Sequence, residues 1–252
     1  MRIKRKVGVG VVVLGSLLLA ISGAAPALAR SSHAAGPYSL AGLRFARTAN
    51  MTSPAFAGWE FGAKAAAGKS LTSEFKIPAL KCTSTTSGIA PANVLITGTG
   101  STAKEEAAGV VLECISGKPS AAAVLIVDNT TIADTTNKLA PGDLMKATVT
   151  VSATKSTETI ADLTSGHTFT FKRSGKGGTP SQELIADGAI DMPVANFGKI
   201  TYTKGAVGGK ALGSVTPKEA VNMETSTHVL QIQTGALSGT AKNAFTTTWK
   251  HS

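Results

Sequence analysis

Met145-Lys146-Ala147-Thr148-Val149-Thr150-Val151 alternates apolar and polar residues without a break. Successive side chains of an extended strand point to opposite faces, so this stretch presents one face to a core and the other to water. The same texture recurs along the chain. Phe169 and Phe171 alternate with threonines, as do Ile200 with Tyr202 and Leu230 with Ile232 across intervening polar residues. About a dozen such runs fall between residues 55 and 250, separated by Gly, Pro, Ser and Asn. After residue 29, no stretch keeps a 3.6 period for three turns. Residues 102–108 would suit a short helix, but Gly109 and the Val-rich continuation argue for a strand. Thr and Val, which favour strands, are abundant. The expected fold is all-β, a two-sheet antiparallel β-sandwich in one domain rather than two small ones.

The amino terminus reads differently. Arg2, Lys4, Arg5 and Lys6 form a basic start, residues 7–25 are apolar but for Gly and Ser, and Ala27-Leu28-Ala29 supplies small residues at a cleavage site. This is the pattern of a secretory signal peptide over residues 1–29. A retained membrane anchor is the alternative, since the stretch is nearly long enough to span. Pro26 and the Ala-x-Ala site favour cleavage. Residues 30–53, rich in Ala, Ser, Gly and Arg, read as a flexible leader. Residues 54–252 then carry the sandwich. The expected location is extracellular, with no membrane attachment once the signal is removed.

The whole chain has 25 basic and 15 acidic residues, a formal charge of +10. The signal carries four of the basic residues and no acid, so the exported chain has a surplus of six. That surplus is spread thinly and is not interleaved with aromatics, which argues against a nucleic-acid partner. Cys82 and Cys114 are the only cysteines. An even count in an oxidising compartment reads as one disulfide, with two free buried thiols as the alternative.

Several short matches carry no chemistry here. Gly98-Thr99-Gly100-Ser101-Thr102-Ala103 imitates a dinucleotide fingerprint, but that motif needs a strand–helix context. Gly68-Lys69-Ser70 imitates the end of a phosphate loop, yet Ala63 stands where its first Gly belongs. Asn50-Met51-Thr52 and Asn129-Thr130-Thr131 fit the glycosylation sequon. His33, His167, His228 and His251 are scattered and read as surface histidines. No metal and no cofactor is expected.

Taken in order, the strand motifs resemble the G1 family of glutamic endopeptidases, the eqolisins. Ala55-Phe56-Ala57-Gly58-Trp59 stands where that family has Asn-Trp-Ala-Gly-Tyr. Leu95 to Gly100 (LITGTG) is similar to Trp-Val-Gly-Ile-Asp-Gly, and Ala107-Ala108-Gly109 to Gln-x-Gly. Cys82 and Cys114 resemble the cysteines of bacterial members. Asp162-Leu163-Thr164-Ser165-Gly166 resembles Asn-x-Thr-x-Gly. The strongest stretch is Met192-Pro193-Val194-Ala195-Asn196-Phe197-Gly198-Lys199-Ile200-Thr201-Tyr202, which resembles Val-Pro-Phe-Ala-Asp/Asn-Phe-Gly-x-Val-x-Phe. The likeness runs from about residue 54 to 250.

The resemblance implies a β-sandwich of two seven-stranded sheets. It also implies a mechanism in which a Glu activates water and a Gln amide holds the oxyanion. The Gln position falls on Ala107, and the Glu position on Asp187, within Gln182-Glu183-Leu184-Ile185-Ala186-Asp187. The supporting Trp and Asp positions are Leu95 and Thr99, and the aromatic substrate strand reads Ala121-Ala122-Ala123-Val124-Leu125-Ile126. Asp187 is thus the one positional candidate for a catalytic residue. The expectation is a non-catalytic, monomeric homologue that binds a polypeptide or cell-envelope ligand. One alternative is an acid endopeptidase using Asp187 with Glu183 or a Thr. The other is an unrelated secreted carbohydrate-binding or adhesion sandwich, for which two Trp and two Tyr are thin material.

Overall fold

The computed structural model describes residues 51–251 apart from 54–55, 63–69, 85–87, 99–104, 129, 153, 175–179, 189–192 and 217. The expected signal peptide, nearly all of the expected leader, His33 and Thr99 lie outside the described residues.

Among the described residues, sixteen strands follow one another. The first seven are β1 (Met51–Ser53), β2 (Phe56–Gly62), β3 (Ser70–Lys76), β4 (Gly88–Gly98), β5 (Glu105–Ile115), β6 (Lys118–Val127) and β7 (Thr130–Ala133). Then come β8 (Leu144–Val151), β9 (Lys155–Asp162), β10 (Thr168–Ser174), β11 (Pro180–Gly188) and β12 (Lys199–Val207). The last are β13 (Lys210–Ala211), β14 (Lys218–Glu224), β15 (Leu230–Thr234) and β16 (Phe245–Trp249). A single 3-10 turn, Leu212–Ser214, is the sole helical element among the described residues. Residues 105–108, weighed above as helix, are strand.

Hydrogen bonding runs without interruption along β10-β9-β8-β3-β12-β16-β15-β14-β2-β11-β4-β5-β6-β7, and every pairing on that path is antiparallel. The path folds over so that β8 and β9 pack against β4, β5 and β6 without pairing to them, which makes two layers. Between the layers lies one apolar cluster. Ala108, Val110, Leu112 and Cys114 enter it from β5, and Met145, Ala147, Val149 and Val151 from β8. The β8 residues are those whose alternation predicted a half-buried strand, and Lys146 and Thr150 between them are exposed. The expected all-β sandwich is therefore the fold.

The expected leader needs one correction. Its last three residues are β1, paired in parallel with Val221, Asn222 and Met223 of β14. Three residues are too few to display an alternation, so only the partner strand reveals them.

An aromatic row ties β3, β12 and β16 together. Tyr202 stands opposite both Phe75 and Phe245 in register. Its ring is 5.5 Å from Phe75 and stacks on Phe245 at 4.8 Å, centroid to centroid. All three are fully buried. Beside this row β12 bulges between Thr203 and Ala206, where Lys204 has a positive φ and reaches Glu74 at 2.9 Å.

The β5–β6 hairpin turns on two residues, Ser116 and Gly117, with φ of 49° and 79°. Positive φ at both is the type I′ geometry that suits strand twist. Any Cβ at Gly117 would approach the Ser84 Cα and the Thr83 carbonyl to 2.9 Å, so the turn tip lies flat on the segment after β3. That same segment holds Cys82, bonded to Cys114 with Cα atoms 5.6 Å apart. The pairing expected from the cysteine count is present. However, Cys82 lies in a connection, not on a strand neighbouring β5.

The bridge spans a sequence separation of 32. Replacing both cysteines by Ser should lower the unfolding free energy by about 3–4 kcal/mol in the chain-entropy account. Urea denaturation of the oxidised parent and the double variant measures this; equal midpoints would refute a stabilising bridge. Gly117→Ala should cost about 1–3 kcal/mol, since it combines a positive φ with a backbone clash. Wild-type stability in that variant would mean the turn is not pinned against Thr83 and Ser84.

Candidate functional site

Register fixes which positions of the β14-β2-β11-β4-β5-β6 layer lie abreast. Ala107 on β5 stands opposite Leu95 on β4 and Ile126 on β6. Leu95 stands opposite Leu184 on β11, Leu184 opposite Glu60 on β2, and Glu60 opposite Glu219 on β14. These positions form one row, with steps of about 4.8 Å between strands. Asp187 belongs to another row. It stands opposite Ala57 and Ala92, and Ala92 in turn opposite Val110. Ala57 and Val110 belong to the core between the layers. Strand positions alternate with a period of two, and Leu184 and Asp187 are three apart, so Ala107 and Asp187 fall in rows of opposite parity. The two positions singled out by sequence are on the same layer but not in matching rows. Glu183, named as a substitute partner, shares Asp187's parity and stands opposite Phe61 and Ile96.

Around Ala107 the described side chains are aliphatic. Ala107 is 1% exposed, and Ala123, Val124 and Leu125 of β6 are buried. Ala121, Ala122 and Ile126 are half-buried. A methyl group at position 107 neither donates nor accepts a hydrogen bond.

Sequence reading passed over the acids of this layer. Glu60 is almost wholly buried, and Glu219 faces it across the β2–β14 ladder. Directly opposed like charges repel, and burial pushes the Glu219 carboxyl above its usual range. A second acid group lies between the layers. Glu106, the neighbour of Ala107, is 3% exposed and accepts from Arg173 Nη2 at 2.8 Å. Arg173 Nη1 also pairs with Asp128. Glu158 on β9 is fully buried, opposite Val149 on β8 and Phe171 on β10. Burial first, and the Glu106 charge second, push its carboxyl up to about 8. A signal for it existed: Ser156, Glu158, Ile160 and Asp162 alternate on the parity of the apolar Ile160, which marks an inward face.

His167 is not an ordinary surface histidine. Its Nε2 lies 2.7 Å from Oδ2 of the buried Asp134, which also accepts from the backbone N–H and hydroxyl of Thr136. Burial would raise the Asp134 carboxyl, but the Thr136 and His167 interactions outweigh it and leave the group lowered. His228 sits 3.6 Å from Glu224 at an exposed position, and His251 is exposed beside Trp249. Among the described residues, no group of three His, Cys, Asp or Glu could hold a metal ion. None of their helices is long and apolar enough to cross a membrane.

Asp162 closes the turn noted above. It accepts from the Thr164 and Ser165 backbone N–H groups, the Ser165 hydroxyl and the Asn137 amide. The strongest sequence motif also has a structural place. Val194, Ala195 and Phe197 are in the core, and the Asn196 carbonyl accepts from Lys81 N–H beside Cys82.

Solved structures of similar fold agree with this architecture. Scytalido-glutamic peptidase with a transition state analog inhibitor superposes with a TM-score of 0.62 at 14% identity, covering 79% of this chain and 100% of that one. SCP-B, a member of the eqolisin family in complex with the tripeptide Ala-Ile-His, gives 0.59 at 15% identity, covering 79% and 100%. Aspergilloglutamic peptidase from Aspergillus niger gives 0.50 at 21% identity, covering 65% and 99%. No curated protein matches the chain. The model of the Peptidase A4 family matches residues 54–247, which is most of the chain and nearly all of the sandwich. The chain therefore belongs to the Peptidase A4 family, the eqolisins.

Proposed function

We propose that this eqolisin is a secreted, catalytically silent member that binds a polypeptide or cell-envelope ligand instead of cutting one. The observation that carries the reading is Ala107, a buried methyl abreast of Leu95 and Ile126. The family resemblance puts the oxyanion-holding Gln there. Losing one preorganised oxyanion donor costs about 10²–10³ in rate. Asp187, at the position of the general base, keeps a carboxylate but is one methylene shorter than Glu. A base must come within about 2.6–3.2 Å of the proton it takes, and a misplacement of about 1 Å costs on the order of 10²-fold. The opposite parity of the two rows adds to that misplacement. Together these effects lower the rate by about 10⁴ or more. The apolar β6 strand, in place of an aromatic one, removes subsite contacts as well. The basic start, apolar run and Ala-x-Ala site of residues 1–29 support export.

A second reading rests on Glu60 and Glu219, directly opposed in the row of Ala107. Two carboxyl groups brought within hydrogen-bond reach can share a proton, one acting as base and the other as acid, as in aspartic peptidases.

Incubation with an unfolded protein at pH 2–5 separates the readings. The silent reading expects no cleavage above background. Ala107→Gln with Asp187→Glu should recover only slight activity, and either change alone none, because the two groups act as a unit. Robust proteolysis lost in Asp187→Ala would overturn it. Proteolysis lost in Glu219→Gln but kept in Asp187→Ala would establish the second reading.

A further inference from the structure

Glu158 is used by neither reading. It is fully buried between the layers, and among the described residues no cation pairs with its carboxyl. The groups facing it are few. From β5 comes Glu106, from β10 Arg173, and from the turn after β6 Asp128. β8 presents Met145, Ala147, Val149 and Val151, none of which titrates. Its own strand adds the Ser156 hydroxyl, which eases the Glu158 charge only in part, and Asp162 further along. Arg173 is already divided between Glu106 and Asp128. One guanidinium thus bonds two carboxyl groups, and Glu158 is not one of them.

An ionised carboxylate with no partner in an apolar interior costs several kcal/mol. A protonated one costs far less, and its O–H points toward the facing Glu106. We propose that Glu158 is a proton-held latch between the two layers: with its proton it lets β9 rest on β5, and losing that proton to solvent drives β9 away and loosens the sandwich. The device makes the fold tolerant of acid and intolerant of alkali.

The direction in pH follows from linkage. An unfolded Glu titrates near 4.5, whereas the buried one is pushed up to about 8. Between those values the folded chain holds one more proton than the unfolded chain. Stability is therefore fully present below the lower value and is lost as pH rises toward the upper one. The unfolding constant should climb roughly tenfold per pH unit through this window and level off above it.

Urea denaturation of the full-length chain from pH 5 to 9 tests the latch. The parent should show that climb, and Glu158→Gln, whose amide mimics the protonated carboxyl, should not. Identical slopes in the two proteins would overturn the proposal. Should Glu158→Gln not fold, Glu106→Gln decides. It removes the facing charge, so the window should shorten at its alkaline end and the total loss shrink about tenfold or more. An unchanged profile in Glu106→Gln would equally overturn the latch.

Discussion

Tyr202 is the contact on which the rest of the sandwich leans. Its strand lies between β3 and β16, and its ring fills the space between Phe75 and Phe245. The chain between β3 and β12 contributes β4 to β11, and both ends of the long hydrogen-bonded path start from this junction. On one side the path continues through β8 and β9, on the other through β15, β14 and β2 toward β4 and β5. Only if the junction holds can the two arms close over each other and bury their facing residues. Three buried rings in one row supply both the area and the directional packing for that.

What the closure buries is uneven in chemistry. Most of the interior is aliphatic, as the apolar alternation of β8 requires. Toward β9 and β10 it becomes acidic, with one arginine in attendance. The family fold is present, and at Ala107 its layer presents a methyl group, which makes no hydrogen bond. The nearby charges sit elsewhere: Glu106 one residue along on the opposite parity, and in the same row Glu60 three strands away and Glu219 four.

Much of this was readable from residues alone. Met145 to Val151 specified a strand with one buried face, and the two cysteines specified their own bond. The likeness to the eqolisins was visible once the strand motifs were set in order. Three things were not readable, each for a physical reason. Alternation assigns parity within a strand but not the register between strands, so the offset between Leu184 and Asp187 depends on pairings far apart in sequence. Glu158 was marked only by the parity of Ile160, a faint signal because three of the four residues on that face, Ser156, Glu158 and Asp162, are polar. His167 looked solitary because Asp134 lies 33 residues away and meets it only through tertiary structure.

The continuity of the hydrogen-bonded path leaves two open edges, β7 and β10. An open edge offers unpaired N–H and C=O groups to any other extended chain. Here one edge is only four residues long, three of them exposed, and the other carries Lys172 and Arg173 with exposed threonines around them. Shortness protects the first, and on the second the exposed charge is that of Lys172, since Arg173 is paired with Glu106 and Asp128. Among the described residues, a path of fourteen strands thus leaves only two short segments on which another extended chain could add.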